Sequence, residues 1–276
     1  MSVTLPLCSR RFCLRLEFDG SLFCGWQLQS SEAEAVKSSG QGEVERALRV
    51  LTRSPQRVVV QGCGRTDAGV SALEFFAHFD LPELCPLPEA ARDIEKFRHS
   101  LNGILPDGIA VTELSAVAAD FHALKDVTWK TYEYTLLVRR TKPTFERDRC
   151  YWIPETLETF KLDELRKGLA LLKGKKDFVN FAAADHTAQT TVREIFETSI
   201  EVTPAGELRL RFTGEGLLKY MVRNLVGTLV EVGVGKRDVA SIEHLLNGQL
   251  GRKDCGHCAP SCGLRLVRVC YNEDWV

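Results

Sequence analysis

Gly62-Cys63-Gly64-Arg65-Thr66-Asp67-Ala68-Gly69-Val70-Ser71-Ala72 lies between two apolar runs, and the fold is read from how the chain enters and leaves it. Just upstream, residues 57–61 centre on Val58-Val59-Val60, a β-branched run that reads as a short buried strand. Just downstream, residues 75–79 alternate aromatics with small and polar side chains, the pattern of a second strand. The stretch is therefore a tight connection between strands. Three glycines in the eight residues from Gly62 to Gly69 let the backbone turn where a β-carbon would clash, which leaves Arg65 and Asp67 at the rim. Residues two apart in an extended segment share a face, so guanidinium and carboxylate are expected side by side, the arginine favouring the ionised acid. The product is a positioned, charged carboxylate at a strand end.

Asp and Gly are also ordinary turn residues, and a loop aspartate can equally cap backbone amides. The whole string, however, closely resembles the signature of the TruA-type tRNA pseudouridine synthase family, in which GRTDAGV-H-A carries the nucleophilic aspartate. The resemblance makes Asp67 that nucleophile and Arg65 its partner. Ser71 stands where the family usually has His, so no imidazole role carries over to that position.

With 276 residues, 44% hydrophobic and 26% charged, the chain is long enough for one large or two modest cores and has the composition of a soluble globular protein. A formal net charge of −1 argues against bulk attraction to nucleic acid, so any RNA must meet a local basic surface. The amino terminus lacks a signal-peptide core and no apolar run approaches a membrane span, which makes a cytoplasmic protein the expectation. Ten cysteines are scattered, as at Cys13, Cys24, Cys63, Cys85 and Cys150, the usage of small buried hydrophobes in a reducing compartment. Cys255-Gly256-His257-Cys258 with Cys262 and Cys270 is the one zinc-like cluster. No second paired knuckle accompanies it, so free loop thiols are expected and no metal.

Phe12, Leu14, Leu16 and Phe18 alternate with Cys13, Arg15 and Glu17 as a strand, and Asp19-Gly20 starts a turn. Residues 21–29 resemble the family's D-G-x-x-F-x-G-W-Q-x-Q segment; Trp26 beside Gln27 is a candidate RNA contact, or a core plug. Residues 30–40 read as a flexible insertion. Val44, Ala47, Leu48 and Leu51 fall at helical spacing, as do Ala90, Ile94, Phe97 and Leu101, with a break at residues 82–88 between them and a stop at Asn102-Gly103. Residues 101–106 resemble the family's L-N-x-x-L-P, and residues 109–114 form a strand candidate. Phe121-His122-Ala123 matches the start of F-H-A-R, but Leu124 replaces the arginine and Lys125 follows one place later.

Lys130-Thr131-Tyr132-Glu133-Tyr134 resembles the K-x-Y-x-Y strand, whose first tyrosine stacks on the target base; a strand tyrosine also commonly just covers a sheet. A boundary is expected within residues 139–154, dividing the chain into 1–140, with Asp67, and 141–276. The second half repeats the first: a helix over 162–172, strands over 193–202 and 207–213, and a closing strand over 264–271. Asp177-Phe178 with Phe181 resembles the family's D-F-x-x-F. Residues 214–224 resemble G-x-G-F-L-x-x-M-V-R-N; Met221, Leu225, Thr228 and Leu229 give one apolar helix face, and Arg223 falls off it, free to turn toward Asp67. Ala259-Pro260 before Cys262-Gly263-Leu264 is similar to the terminal A-P-x-x-G-L element.

The resemblance implies an α+β fold of two similar α/β halves with antiparallel sheets around a central catalytic cleft. It implies uridine-to-pseudouridine isomerisation in the anticodon stem-loop of tRNA (positions 38, 39 and/or 40), by a homodimer. The carboxylate acts as in glycoside hydrolysis, on a uridine flipped from its stack. Catalytic roles fall to Asp67, Arg65, Tyr132 and Arg223; Tyr132, Gly64, Thr66, Trp26, Gln27 and Lys125 are expected to bind substrate. Reactant and product share the same atoms, so no cofactor is required. The tRNA body is expected on Arg139, Arg140, Lys142, Lys173, Lys175, Lys176, Lys236, Arg237, Arg252 and Lys253. The alternatives are a synthase of another RNA site, a catalytically silent RNA-binding relative, and a carboxylate-dependent hydrolase of small nucleosides.

Overall fold

A computed structural model of the chain describes residues 10–28, 37–81 and 93–272. The expected break at 82–88, Cys85, Ala90 and most of the expected insertion at 30–40 lie outside the described residues. The chain forms two compact units, Met1–Thr128 together with Leu266–Val276, and Trp129–Arg265. Its elements begin with β1 (Arg11–Phe18), α1 (Gly40–Thr52), β2 (Val60–Gly62), β3 (Ser71–Asp80), α2 (Ile94–Asn102), β4 (Ile109–Ala116) and β5 (Val127–Val138). Then come β6 (Tyr151–Ile153), α3 (Leu162–Leu171), β7 (Gly174–Asp177), β8 (Val192–Val202), β9 (Glu207–Glu215), α4 (Met221–Gly233), α5 (Ala240–Leu246) and β10 (Leu264–Tyr271). No helix among the described residues is long and apolar enough to cross a membrane.

In the first unit the strand order is β4-β1-β3-β10, with β2 added on β3. β1 runs antiparallel to both neighbours, Arg11 facing Asp80 on β3 and Phe12 facing Ala116 on β4. The alternation of β1 buries Phe12, whose ring stacks on Phe79 at 5.5 Å and meets Phe97 of α2 edge-on at 6.1 Å. Ser39 caps α1 by accepting from Gly42 N at 3.1 Å, and the buried Val44, Ala47 and Leu48 form its inward stripe.

The valine run behaves differently from its expected form. Pairing starts only at Val60, Val58 is 1% exposed and Val59 48%. The cause is helix α1 beside it: Glu45 Oε1 accepts from Val60 N at 3.0 Å, Gln41 Nε2 donates to Val60 O at 2.9 Å, and Arg57 bonds Glu45. Side chains of α1 thus take the backbone groups that another strand would have used.

In the second unit the order is β5-β9-β8-β7, antiparallel throughout, and β6 lies parallel to β5 with Leu136 opposite Tyr151. Helix α3 packs on α4, α5 and β8. Along α4 Met221, Leu225, Thr228 and Leu229 are buried as the apolar periodicity requires. β6, β7 and α5 carry no usable periodicity: β7 is Gly-Lys-Lys-Asp and becomes a strand only by pairing with β8. Both units are mostly antiparallel sheets with helices, the α+β architecture expected.

Candidate active site

The turn between β2 and β3 rests on the chain that follows β1. Cys63 N donates to Phe76 O at 2.7 Å, extending the ladder one step beyond β2, and Val70 N donates to Asp67 O at 3.1 Å to close the turn. Beneath it, Asp19 Oδ1 accepts from Ser21 N and starts a single 3-10 turn, Gly20–Leu22. Two bonds tie the layers: Trp26 N to Thr66 O at 3.1 Å and Gly20 N to Ser71 Oγ at 2.9 Å. The backbones touch where glycine allows it. A β-carbon on Gly20 would lie 2.1 Å from Val70 O, and one on Gly25, at φ +112, 2.9 Å from Thr66 O. Ser71, the departure from the family's His, therefore serves as the acceptor that holds Gly20.

Arg65 is exposed, Thr66 buried and Asp67 half-exposed, so the alternation that puts Arg65 and Asp67 on one outer face is present. The expected ion pair between them is not: Arg65 has no hydrogen bond or ion pair among the described residues. A solvated loop arginine gains about 0–1 kcal/mol from such a pair while losing side-chain freedom, so little is lost by leaving it in solvent. Gly64 is half-exposed, and Thr66 Oγ1 has no hydrogen-bond partner among the described residues.

Trp26 is corrected as a candidate RNA contact. It is 1% exposed, its ring stacked on Phe18 at 5.8 Å and tilted against Phe75 at 4.2 Å. It is the plug on which the turn sits. Gln27 is exposed, with Nε2 donating to Gln41 Oε1 at 2.8 Å. Lys125 is exposed at the tip of loop 121–126, which is tied by His122 N to Asp126 Oδ2 at 2.7 Å and by Ala123 N to His78 Nδ1 at 3.1 Å. Burial, with His122 and Arg11 nearby, pushes the His78 imidazole down to about 4, so it is neutral and accepts through Nδ1.

In the second unit, Tyr132 is half-buried on β5 opposite Phe212 of β9. The next residue, Glu133, points to the other face with its side chain 2% exposed, and accepts from Arg211 Nε at 2.7 Å and Arg265 Nε at 3.0 Å. Burial alone would raise its carboxyl; the bonds from Arg265 and Arg211 outweigh it and hold the group below the usual carboxylate range. Arg223, in the first turn of α4, donates from Nε to Ala259 O at 2.8 Å and lies 5.0 Å from the Tyr220 ring centre, with Lys219 Nζ at 5.2 Å. Tyr220 itself has φ +62, an uncommon conformation for a bulky residue. Neither Glu133 nor Tyr220 is singled out by sequence, because one depends on cross-strand register and the other on backbone angles.

Residues 255–258 make contacts within the protein. His257 bonds Glu231 Oε1 through Nδ1 at 3.1 Å and Tyr151 Oη through Nε2 at 3.1 Å, while Cys255 Sγ meets Thr228 Oγ1 at 3.4 Å. No group of three or more His, Cys, Asp or Glu able to hold a metal occurs among the described residues, and the eight described cysteines are thiols rather than disulfides. Of the expected basic contacts, Arg140, Lys142, Lys173, Lys175, Lys236, Arg252 and Lys253 are exposed. Arg237 is committed to Glu231 Oε2 at 2.9 Å.

The chain is similar in sequence to known proteins. The family model for tRNA pseudouridine synthase matches residues 169–272. A tRNA pseudouridine synthase A from Thermus thermophilus is 38% identical over 268 residues, 96% of this chain and 98% of that protein. A tRNA pseudouridine synthase A 1 from Bacillus cereus is 36% identical over 256 residues, 93% of this chain and 96% of its own length. The tRNA pseudouridine synthase A of Myxococcus xanthus is 36% identical over 263 residues, 95% of this chain and 92% of that protein.

Proposed function

The chain belongs to the tRNA pseudouridine synthase family, and from that premise we propose that it isomerises uridine to pseudouridine in the anticodon arm of tRNA, at one or more of positions 38 to 40, with Asp67 as nucleophile. The observation that carries the reading is the Asp67 turn. It is a half-exposed carboxylate on a turn pinned from below by backbone bonds to Trp26 and Gly20, which gives the fixed geometry that nucleophilic catalysis needs.

In this reading the target uridine leaves its stack, and Tyr132 lies against the flipped base. Asp67 takes up the ribose–uracil unit as the N-glycosidic bond breaks; attack on sugar or on base uses the same carboxylate. The uracil turns, its carbon-5 bonds to the sugar as the bond to Asp67 breaks and the carboxylate is restored, Tyr132 accepts the carbon-5 proton, and N1 gains a proton in its place. The balance is that of an isomerisation, without redox partner or cofactor. Arg65, exposed and unpaired among the described residues, meets an RNA phosphate rather than Asp67. Arg223 supplies a further cation for the RNA, and the enzyme works in the cytoplasm as a homodimer.

Incubation with tRNA tritiated at carbon-5 of uridine tests the proposal. The wild type releases tritium, and Asp67→Ala binds tRNA without releasing it. Unchanged release by Asp67→Ala removes that residue from the mechanism. Binding without release by the wild type points to a catalytically silent relative, and free base or ribose as product points to a hydrolase.

A further inference from the structure

Phe145 is 93% exposed, whereas the next most exposed large apolar side chain among the described residues, Val50, is 55% exposed. It is carried by loop 139–150, between β5 and β6. The base of this loop is fastened: Arg139 N donates to Ile153 O at 3.2 Å, Trp152 Nε1 donates to Arg139 O at 2.7 Å, and Pro143 and Cys150 are buried. The tip is also built. Glu146 O accepts from Arg149 N at 2.9 Å and from Cys150 Sγ at 3.1 Å, and the Glu146 carboxylate lies 3.6 Å from Arg139. A ring held out on an ordered turn has already met the entropy cost of being presented.

The surrounding charge says what it is presented to. Residues 139–149 hold five cations, Arg139, Arg140, Lys142, Arg147 and Arg149, against the acids Glu146 and Asp148, in a chain whose net charge is −1. The two acids face Arg139 and Arg147, while Arg140 and Lys142 are exposed with no ion pair among the described residues. A symmetric contact centred on this loop would set the positive patch against its own equivalent, bringing like charges together. A polyanion with unpaired bases suits both halves of the patch, phosphates for the cations and a base face for the ring.

We propose that Phe145 is a stacking platform for an unpaired base of the RNA substrate, with Arg140 and Lys142 holding the adjoining phosphates. The proposal rests on the reading that the substrate is RNA. Its test compares wild type, Phe145→Ala, Phe145→Trp and the double variant Arg140→Gln/Lys142→Gln in tRNA binding, turnover and sedimentation. Phe145→Ala is expected to raise Kd and KM for tRNA about tenfold, with kcat, melting temperature and sedimentation unchanged. Phe145→Trp restores binding, and the fluorescence it adds is quenched by tRNA. The double variant lowers the slope of log Kd against log salt by about two. Wild-type affinity in Phe145→Ala overturns the proposal while leaving the function intact. A change of sedimentation in that variant overturns it in favour of a second copy as occupant. Failure of the wild type to bind tRNA at all overturns both.

Discussion

Alanine at Gly25 is the sharpest probe of how the Asp67 turn is held. At φ +112 the new β-carbon would lie 2.9 Å from Thr66 O, 3.3 Å from Ala68 N and 3.4 Å from Asp67 C. Gly174, at φ +94, has nothing within 4 Å of the same added atom and is a natural control. Both replacements share a backbone penalty of about 1–2 kcal/mol, since L residues are strained there. Only Gly25 adds a collision, and it is backbone against backbone, Thr66 O being held by Trp26 N at 3.1 Å. No side chain can rotate aside, so the turn must retreat by about half an ångström for the 2.9 Å approach to relax to ordinary contact. Misplacement of reacting groups by 1 Å costs roughly 10²-fold, so half that displacement predicts a loss of kcat of about tenfold. The KM for tRNA changes little, because the outer surface is untouched. Tritium release at saturating tRNA, run beside thermal melts, reads both effects: Gly25→Ala loses turnover and more melting temperature than Gly174→Ala. Equal kcat in the two variants would refute the claim that the segment under the turn positions Asp67.

His78, 3% exposed, has its imidazole pushed down to about 4 by burial, below an unfolded value near 6.5. A group with a lowered folded pKa of this kind is protonated first in the unfolded chain, so stability falls as pH drops from about 6.5 toward 4. Urea melts should show about 2 kcal/mol less stability at pH 5 than at pH 7, and His78→Asn, which keeps an acceptor for Ala123 N, should remove that difference. Glu133→Gln discards a charge that accepts from two arginines, and about 2–3 kcal/mol of stability at pH 7 should go with it. Because the Glu133 carboxyl is held below 4.5, its contribution is present above about pH 4.5 and is lost as pH falls through the folded value, so the two proteins should converge in acid. A Gln variant as stable as wild type at pH 7 would show that the arginines merely offset the cost of burying the carboxylate.

Much of the chain is legible without coordinates because its signals are local. The alternation of residues 11–18 produces β1, the helical spacing of Val44, Ala47 and Leu48 produces α1, and the glycine-spaced run around Asp67 produces a turn between strands. Each pattern is a property of neighbouring residues and survives in any tertiary context that buries one face. The family relationship is legible for the same reason, as ordered motifs along most of the chain.

What sequence by itself determined is therefore the order of the strongly patterned elements, the polarity of their faces and the chemistry available at the turn. Only tertiary structure decided the partners. Glu45 and Gln41 shorten the valine strand, Trp26 becomes a plug rather than an RNA contact, and Ser71 finds its donor at Gly20, 51 residues away. Arg65 stays in solvent and Phe145 is held out on a fastened loop. The physical reason is common to all of these: periodicity depends on residues a few places apart, whereas burial, hydrogen-bond partners and backbone strain depend on which distant segments the fold brings within a few ångströms.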